Sequence, residues 1–220
     1  MLKVTEKQKD KVKIVIGGAG ASGIAILKLL HYLGYRNIII CDSKGIIHKE
    51  RTNGMNEAKV KATEITNQKN EKGNLHEAVV GADVFVGVSV ANTLTKEDIK
   101  VMNENTIIFA LANPNPEIKV KLAKEAGVKV IGTGRSDYPN QINNVLAFPG
   151  VFRGALDVQA SEINMEMKVA AVRAIASLVT EEELNEDYIV PKALDERVAK
   201  AVAQAVKQAA IDTNVARSNT

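Results

Sequence analysis

Three glycines spaced as G-x-G-x-x-G, Gly18, Gly20 and Gly23, stand between the apolar run Ile14-Val15-Ile16 and an apolar-periodic stretch that opens at Ile24. The chemistry open to such a turn is to hold a pyrophosphate. Gly18 suits a tight turn, Gly20 lacks the Cβ that obstructs an approaching phosphate, and Gly23 lets a following helix sit close on a sheet. The N–H groups that open that helix, at Ala21, Ser22 and Gly23, then face the phosphates. Asp42 ends a second apolar run about 20 residues on, where a carboxylate accepts hydrogen bonds from an adenosine ribose. Its charge repels a 2′-phosphate and so predicts NAD, whereas Lys44, two residues further, acts in the opposite sense and keeps NADP open.

Other candidates follow from where ligands lie in open α/β sheets, beyond the carboxyl ends of the strands. Ser89 follows the third apolar run, Asn113 the fourth, and Arg135 to Asp137 the fifth. Asn113 precedes Pro114, which restricts its backbone to extended conformations, and its amide both donates and accepts. Asn140, Asn143 and Asn144 lie in a polar loop and read first as plain turn residues. Arg135 and Asp137 can pair with each other. His31, His48 and His76 lack the spacing of a metal site or a catalytic triad, and no carboxylates cluster in sequence. The chain is equipped to hold a dinucleotide and poorly equipped to move protons.

The elements that position these residues alternate. Ile24, Leu27, Leu30 and Leu33 form a helical stripe ended by Gly34, and Asn37 to Cys41 is a second strand. Asp42 to Gly45 is a turn, followed by a polar, peripheral, mostly helical stretch from Asn56 to Gln68. Further strands are expected at 83–88, 106–111 and 128–132, with helices at 75–80, 95–102 (capped by Thr95) and 116–126. This rhythm specifies a Rossmann-like, doubly wound parallel sheet. Residues 133–150 are turn-rich and long enough for a functional loop. Beyond them, apolar faces through Ile163, Met167, Ala171, Ala174 and Leu178, and through Val198, Val202, Ala205 and Ala209, give additional C-terminal helices. The expected division is a dinucleotide-binding domain over 1–160 and helices over 161–220 that pack on it.

Composition narrows the class. The chain has 220 residues, 45% of them apolar, which is enough to fill a core. No uninterrupted apolar run reaches the length of about 18 that spans a membrane. The N-terminus lacks the apolar segment of a signal peptide, so the expected location is cytoplasmic. A net charge of +3 with dispersed basic residues leaves no footprint for nucleic acid or an anionic membrane. The lone Cys41, at the end of an apolar strand, is expected to be buried and inert.

Taken together, Gly17-Gly18-Ala19-Gly20-Ala21-Ser22-Gly23, Asp42-Ser43-Lys44-Gly45, Ala110-Leu111-Ala112-Asn113-Pro114-Asn115-Pro116-Glu117 and the run from Gly134 to Gly150 resemble the NAD(P)-binding domain of bacterial-type malic enzymes. The likeness runs to about Val179 and includes Phe152-Arg153-Gly154-Ala155-Leu156-Asp157. It implies oxidative decarboxylation of L-malate to pyruvate and CO2, NAD or NADP as hydride acceptor, Mg²⁺ or Mn²⁺ as Lewis acid, and a homo-oligomeric complete enzyme. It implies further that Asn113 and Asn144 contact malate and the nicotinamide end of the cofactor, and that Asp42 contacts the ribose. Such enzymes carry an N-terminal domain with the catalytic tyrosine and lysine and the metal-binding carboxylates, which has no counterpart in this sequence. Leu2-Lys3-Val4 is similar to the end of the helix that enters the cofactor domain. The expectation is therefore a cofactor-binding domain inactive without a partner catalytic domain; the alternative is a standalone NAD-binding module that senses or sequesters the dinucleotide.

Overall fold

Every residue of β1 (Ile14–Gly17) is buried, because it lies between two other parallel strands. β2 (Ile38–Asp42) pairs with one side of it and β4 (Val84–Gly87) with the other, and β5 (Ile107–Ala110) and β6 (Val130–Thr133) continue outward from β4, all in parallel register. Strands covered on both faces carry continuous apolar runs rather than alternating ones, and these do. β3 (Gly45–Ile46) adds a short antiparallel edge beside β2, so the order is β3-β2-β1-β4-β5-β6. The chain runs one way from β1 to β2 and the other way from β4 to β6. The switch point therefore lies between β1 and β4, and such a reversal opens a crevice at the carboxyl ends of the strands.

The computed structural model describes residues 1–217. The connecting helices are α1 (Ala21–Tyr32), α2 (Glu57–Ala62), α3 (Leu75–Val79), α4 (Lys96–Lys100) and α5 (Val120–Glu125). Asn74 and Thr95 start α3 and α4 through reciprocal capping boxes with Glu77 and Asp98. The expected turn after Asp42 is present, at Ser43 and Lys44, and it closes a hairpin to β3. Two expectations are corrected. The stretch after Asn56 is helical only over Glu57–Ala62, and its end is not peripheral: Thr66 Oγ1 and the Asn67 N–H donate to the Ile38 carbonyl, and both side chains are buried. The helix expected from Pro116 starts at Val120, because Glu117 is drawn inward, as described below.

The chain divides into two compact units, residues 1–134 and 135–220. The boundary thus falls at Gly134 rather than near residue 160, and the physical reason is α6 (Phe148–Asp157). Its Gly150 and Gly154 face Val202 and Ala203 of α8 (Glu196–Asp212) so closely that a Cβ would lie 2.5 Å from Val202 Cβ and 2.4 Å from the Ala203 carbonyl oxygen. α7 (Met165–Ser177) completes the second unit's core, with Met167, Val202 and Val206 fully enclosed. The sheet unit has its own core around Val15, Ile39, Phe85 and Ile108.

Candidate functional site

A cleft of about 510 Å³ opens at the switch point, lined by Gly17, Gly18 and Gly20 at the end of β1 and just beyond it, by Cys41 to Ser43 and Gly45 around the β2–β3 hairpin, and by Val88 to Val90 after β4. The glycine turn is locked from both sides. The Gly18 N–H donates to the Cys41 carbonyl at 2.8 Å, and the Val88 N–H donates to the Gly17 carbonyl at 2.9 Å. Gly18 sits at φ +126°, where a side chain would also meet the Val88 carbonyl oxygen at 2.7 Å, so the position demands glycine twice over. A Cβ at Gly20 would meet no protein atom within 4 Å; a side chain there enters the cleft instead of clashing. Gly23 differs from expectation. Its tightest neighbour is the Gly18 carbonyl oxygen, 1.7 Å from an ideal Cβ, while Ile40 on the sheet is 3.4 Å away. The close approach is therefore between helix start and turn. Gly20 caps α1 without a side-chain bond, leaving the N–H groups of Ala21 and Ser22 without a side-chain cap, and both residues are exposed.

These features fit a dinucleotide: a turn that presents only glycines to the cleft, a helix N-terminus aimed at it, and room where a Cβ would otherwise stand. Ser89 lines the cleft, and its N–H donates to Glu117 Oε1 at 3.0 Å. Sequence reasoning missed Glu117. It is fully buried, its second oxygen accepts from the Ala112 N–H at 3.1 Å, and Gly87 leaves the space for its carboxyl, which a Cβ there would overlap at 2.3 Å. One carboxylate thereby fixes the loops that leave β4 and β5. A glutamate just after two prolines, where a helix was expected to begin, was the only available signal.

Asp42 stands at the cleft, but with its acceptors filled. Oδ1 accepts from the Lys44 N–H at 2.8 Å and from Arg51 Nη2 at 2.7 Å; Oδ2 accepts from Arg51 Nη2 at 2.8 Å and from Lys59 Nζ at 2.6 Å. Burial pushes the carboxyl's pKa upward, yet the Lys59 and Arg51 bonds outweigh it and hold the pKa below the ordinary value. Neither Arg51 nor Lys59 was singled out from sequence, since Lys59 lies in the polar stretch after Asn56 and Arg51 in the connection before it, to which no element was assigned. Cys41 is buried, and burial above all pushes its thiol up to about 12, as an inert cysteine requires.

The asparagines separate by what they hold. Asn113 is exposed on the loop after β5, its peptide to Pro114 is cis, and it does not line the cleft. In the second unit, Asn140 is buried, donating to the Glu186 carbonyl and accepting from the Ile189 N–H, both at 2.8 Å. Asn143 caps the 3₁₀ turn Asn144–Leu146 by accepting from the Val145 N–H. Both are structural. Asn144 is exposed, and its side chain makes no hydrogen bond among the described residues. Arg135 and Asp137 form an exposed bidentate pair at 2.9 and 2.8 Å. His76 Nδ1 lies 2.7 Å from Asp98 Oδ1.

The sheet order, the glycine turn and the switch-point cleft define a Rossmann-type dinucleotide-binding protein. The family model for the NAD-binding domain of malic enzyme matches residues 1–211, and the chain belongs to that family. It is 59% identical over 216 residues to a bifunctional malic/malolactic enzyme of Bacillus subtilis, covering 98% of this chain and 53% of that protein. It is 52% identical to an NAD-dependent malic enzyme of Geobacillus stearothermophilus and 47% identical to an NADP-dependent one of Salmonella typhimurium, covering 45% and 30% of their lengths. A crystal structure of malic enzyme from Pyrococcus horikoshii superposes with a TM-score of 0.93 at 38% identity, covering all of this chain and 52% of that one. The chain thus spans about half, or less, of the length of these relatives. No helix among the described residues is long and apolar enough to cross a membrane.

Proposed function

We propose that this chain binds NAD or NADP and serves as the cofactor-binding part of an enzyme that oxidatively decarboxylates L-malate to pyruvate and CO2. The observation that carries the reading is the turn from Gly17 to Gly20 at the β1/β4 switch point, which presents only glycines to the cleft. The bound dinucleotide supplies the hydride acceptor. The chain's own residues hold its pyrophosphate at Gly18, Gly20 and the N–H groups of Ala21 to Gly23, and Glu117 keeps the Ser89 loop in place beside it. Asn113 and Asn144, exposed and uncommitted, are proposed to contact malate and the nicotinamide end.

The expected Mg²⁺ or Mn²⁺ is a different matter. Among the described residues no three His, Cys, Asp or Glu side chains come together in a way that could hold a metal, so the residues in hand do not fit one. The ligands and the acid–base groups are proposed to belong to other parts of the whole enzyme. A standalone binding module is the weaker reading, because α6 exposes Phe148, Phe152 and Leu156 along one face, an arrangement typical of a surface that meets other protein.

The test is titration with NADH, followed by fluorescence. Saturable binding is expected, and Gly20→Val is expected to abolish it by placing a side chain where the pyrophosphate lies. Absence of binding at millimolar NADH would sink the reading. Malate-dependent NADH production by the 220-residue chain alone is expected to be absent and to appear when a malic-enzyme catalytic domain is supplied. Each missing acid–base group accounts for roughly 10²- to 10⁴-fold. Metal-dependent turnover by the chain alone, lost in Gly20→Val, would show that the catalytic groups are here after all.

A further inference from the structure

We infer that Asn53 is a site of spontaneous conversion to isoaspartate, and that the conversion loosens the ion-paired clamp that shapes the cleft at Asp42. Its consequence for ligand binding rests on the dinucleotide reading above. Of the chain's asparagines, Asn53 alone is followed by glycine. Asn53 and Gly54 form an exposed turn before α2, and neither the Asn53 side chain nor the Gly54 N–H makes a hydrogen bond among the described residues. Asparagine is a chemically labile residue, and a following glycine, with no Cβ, leaves its side-chain amide open to attack by the next backbone nitrogen.

In that attack the Gly54 nitrogen bonds to Asn53 Cγ, the Cγ–Nδ2 bond breaks, and the amide nitrogen leaves as ammonia with the Gly54 proton. Water then opens the cyclic imide. Breaking the new bond to Cγ gives aspartate. Breaking the original bond to the Asn53 carbonyl carbon gives isoaspartate, in which the chain runs through Cγ, is longer by one methylene, and leaves the former backbone carbonyl as a carboxylate. The net reaction consumes water and releases ammonia, and nothing is oxidised or reduced. The fold keeps glycine at the second position: Gly54 sits at φ +69°, and a Cβ there would lie 3.3 Å from Arg51 Nη2 and 3.4 Å from Lys44 Cγ.

Both carbonyls of this turn already hold cations. Arg51 Nε donates to the Asn53 carbonyl at 2.9 Å, and Lys59 Nζ donates to the Gly54 carbonyl at 2.8 Å. The same two side chains bind Asp42, and Arg51 Nη1 also donates to the Gly45 and Ile46 carbonyls at 3.0 and 3.3 Å. Asp42 and Gly45 line the cleft. The side chains of Arg51, Asp42 and Lys59 are 6%, 12% and 16% exposed, so the set is closed. In the isoaspartyl form the acceptor of Arg51 Nε becomes a carboxylate that competes with Asp42 for the guanidinium, and the added methylene displaces the Gly54 carbonyl from Lys59.

The experiment ages the whole chain for days at physiological temperature and mildly alkaline pH, then applies peptide mass mapping, enzymatic methylation of isoaspartyl carboxylates, thermal melting and NADH titration. The mass change from amide to acid is expected at the Asn53 peptide, in methylatable form. The aged chain should melt several degrees lower and bind NADH roughly tenfold more weakly, about the worth of one hydrogen bond to a charged group. Asn53→Gln, whose longer side chain closes the ring far more slowly, should keep its Tm and NADH affinity through the same treatment. Fresh Asn53→Asp adds the charge without lengthening the backbone and should stay within about twofold of the fresh chain, as an exposed charge does. An Asn53 peptide that stays unmodified, a modified chain with unchanged Tm and affinity, or an Asn53→Asp loss as large as that of the aged chain overturns the inference while the dinucleotide reading stands. A fresh chain that binds no NADH overturns that reading, and the mass and melting measurements still decide the modification.

Discussion

Gly23 and Gly20 sit three residues apart in one motif and fail for opposite reasons when substituted. At Gly23 a methyl group would lie 1.7 Å from the Gly18 carbonyl oxygen, a backbone atom that no rotamer change can move aside. Gly23→Ala is therefore expected to lower the stability of the ligand-free chain by about 1–3 kcal/mol, as overpacking does, and to weaken dinucleotide binding as the turn shifts. Gly20→Ala meets nothing, so the ligand-free melting temperature should hold while NADH affinity falls; equal Tm losses in the two variants would refute this division. Glu117 offers a second contrast. Glu117→Gln sets an amide NH2 against the Ser89 or Ala112 N–H, leaving that NH2, on a fully buried side chain, without an acceptor, at a cost of about 1–3 kcal/mol read from the denaturant midpoint. NADH binding should weaken in parallel, because Ser89 lines the cleft. Asp42 shows the limit of reading such residues from spacing. Its position at the end of β2 was legible from the apolar run before it, but its hydrogen bonds come from Arg51 and Lys59, 9 and 17 positions on, whose place beside it depends on a hairpin the sequence did not announce.

Elements were legible where packing and period agree. All five parallel strands follow from apolar runs bounded by Gly, Asp or Asn, because a strand buried on both faces needs little beyond that. β3 was not legible: it is two residues long, and it forms because the Ile46 N–H finds the Gly73 carbonyl and the Ile47 N–H the Ile40 carbonyl. The shortfall of α2 and α5 has a common cause, since side-chain or backbone partners outside the helix (Ile38 for Thr66 and Asn67, Ser89 and Ala112 for Glu117) claim residues that helical propensity would recruit. The unit boundary was misplaced because α6 carries exposed Phe148, Phe152 and Leu156 on one side and two small residues on the other. Its buried face is glycine, which a hydrophobic period does not register. That face makes a prediction of its own. Gly154→Leu drives a branched side chain into the Ala203 carbonyl and Val206 and should lower the thermal midpoint of helical circular dichroism by several degrees, whereas Leu156→Ala, at a side chain 72% exposed, should shift it little.

The stability of the molecule against acid depends on carboxylates that the sheet unit holds in ionised form. At Asp83, burial pushes the pKa up, but the Lys7 ammonium at 2.8 Å, the Lys13 N–H at 2.8 Å and the Asn103 amide at 2.9 Å outweigh it, and the pKa lies below the ordinary value, as at Asp42. A group whose folded pKa is depressed contributes stability that is fully present above its unfolded pKa, about 3.9, and is lost as pH falls through the folded value. Asp83 joins the segment before β1 to the start of β4, and Asp42 clamps the hairpin beside the cleft, so their protonation loosens the same unit at two places. Cys41 is a built-in reporter of that loosening, since it is 2% exposed in the sheet unit and is the chain's single cysteine. Its reaction with a disulfide reagent that works in acid, such as 4,4′-dithiodipyridine, is expected to be slow at pH 5 and to accelerate below about pH 4. Asp83→Asn should cost about 1.5–3 kcal/mol at pH 7, the worth of hydrogen bonds to a charged group. It should also flatten the change in stability between pH 5 and 3, because the variant has no carboxylate left to protonate at that site. A thiol that stays unreactive to pH 2, or an Asp83→Asn variant with the native pH slope, would place the acid sensitivity elsewhere in the chain.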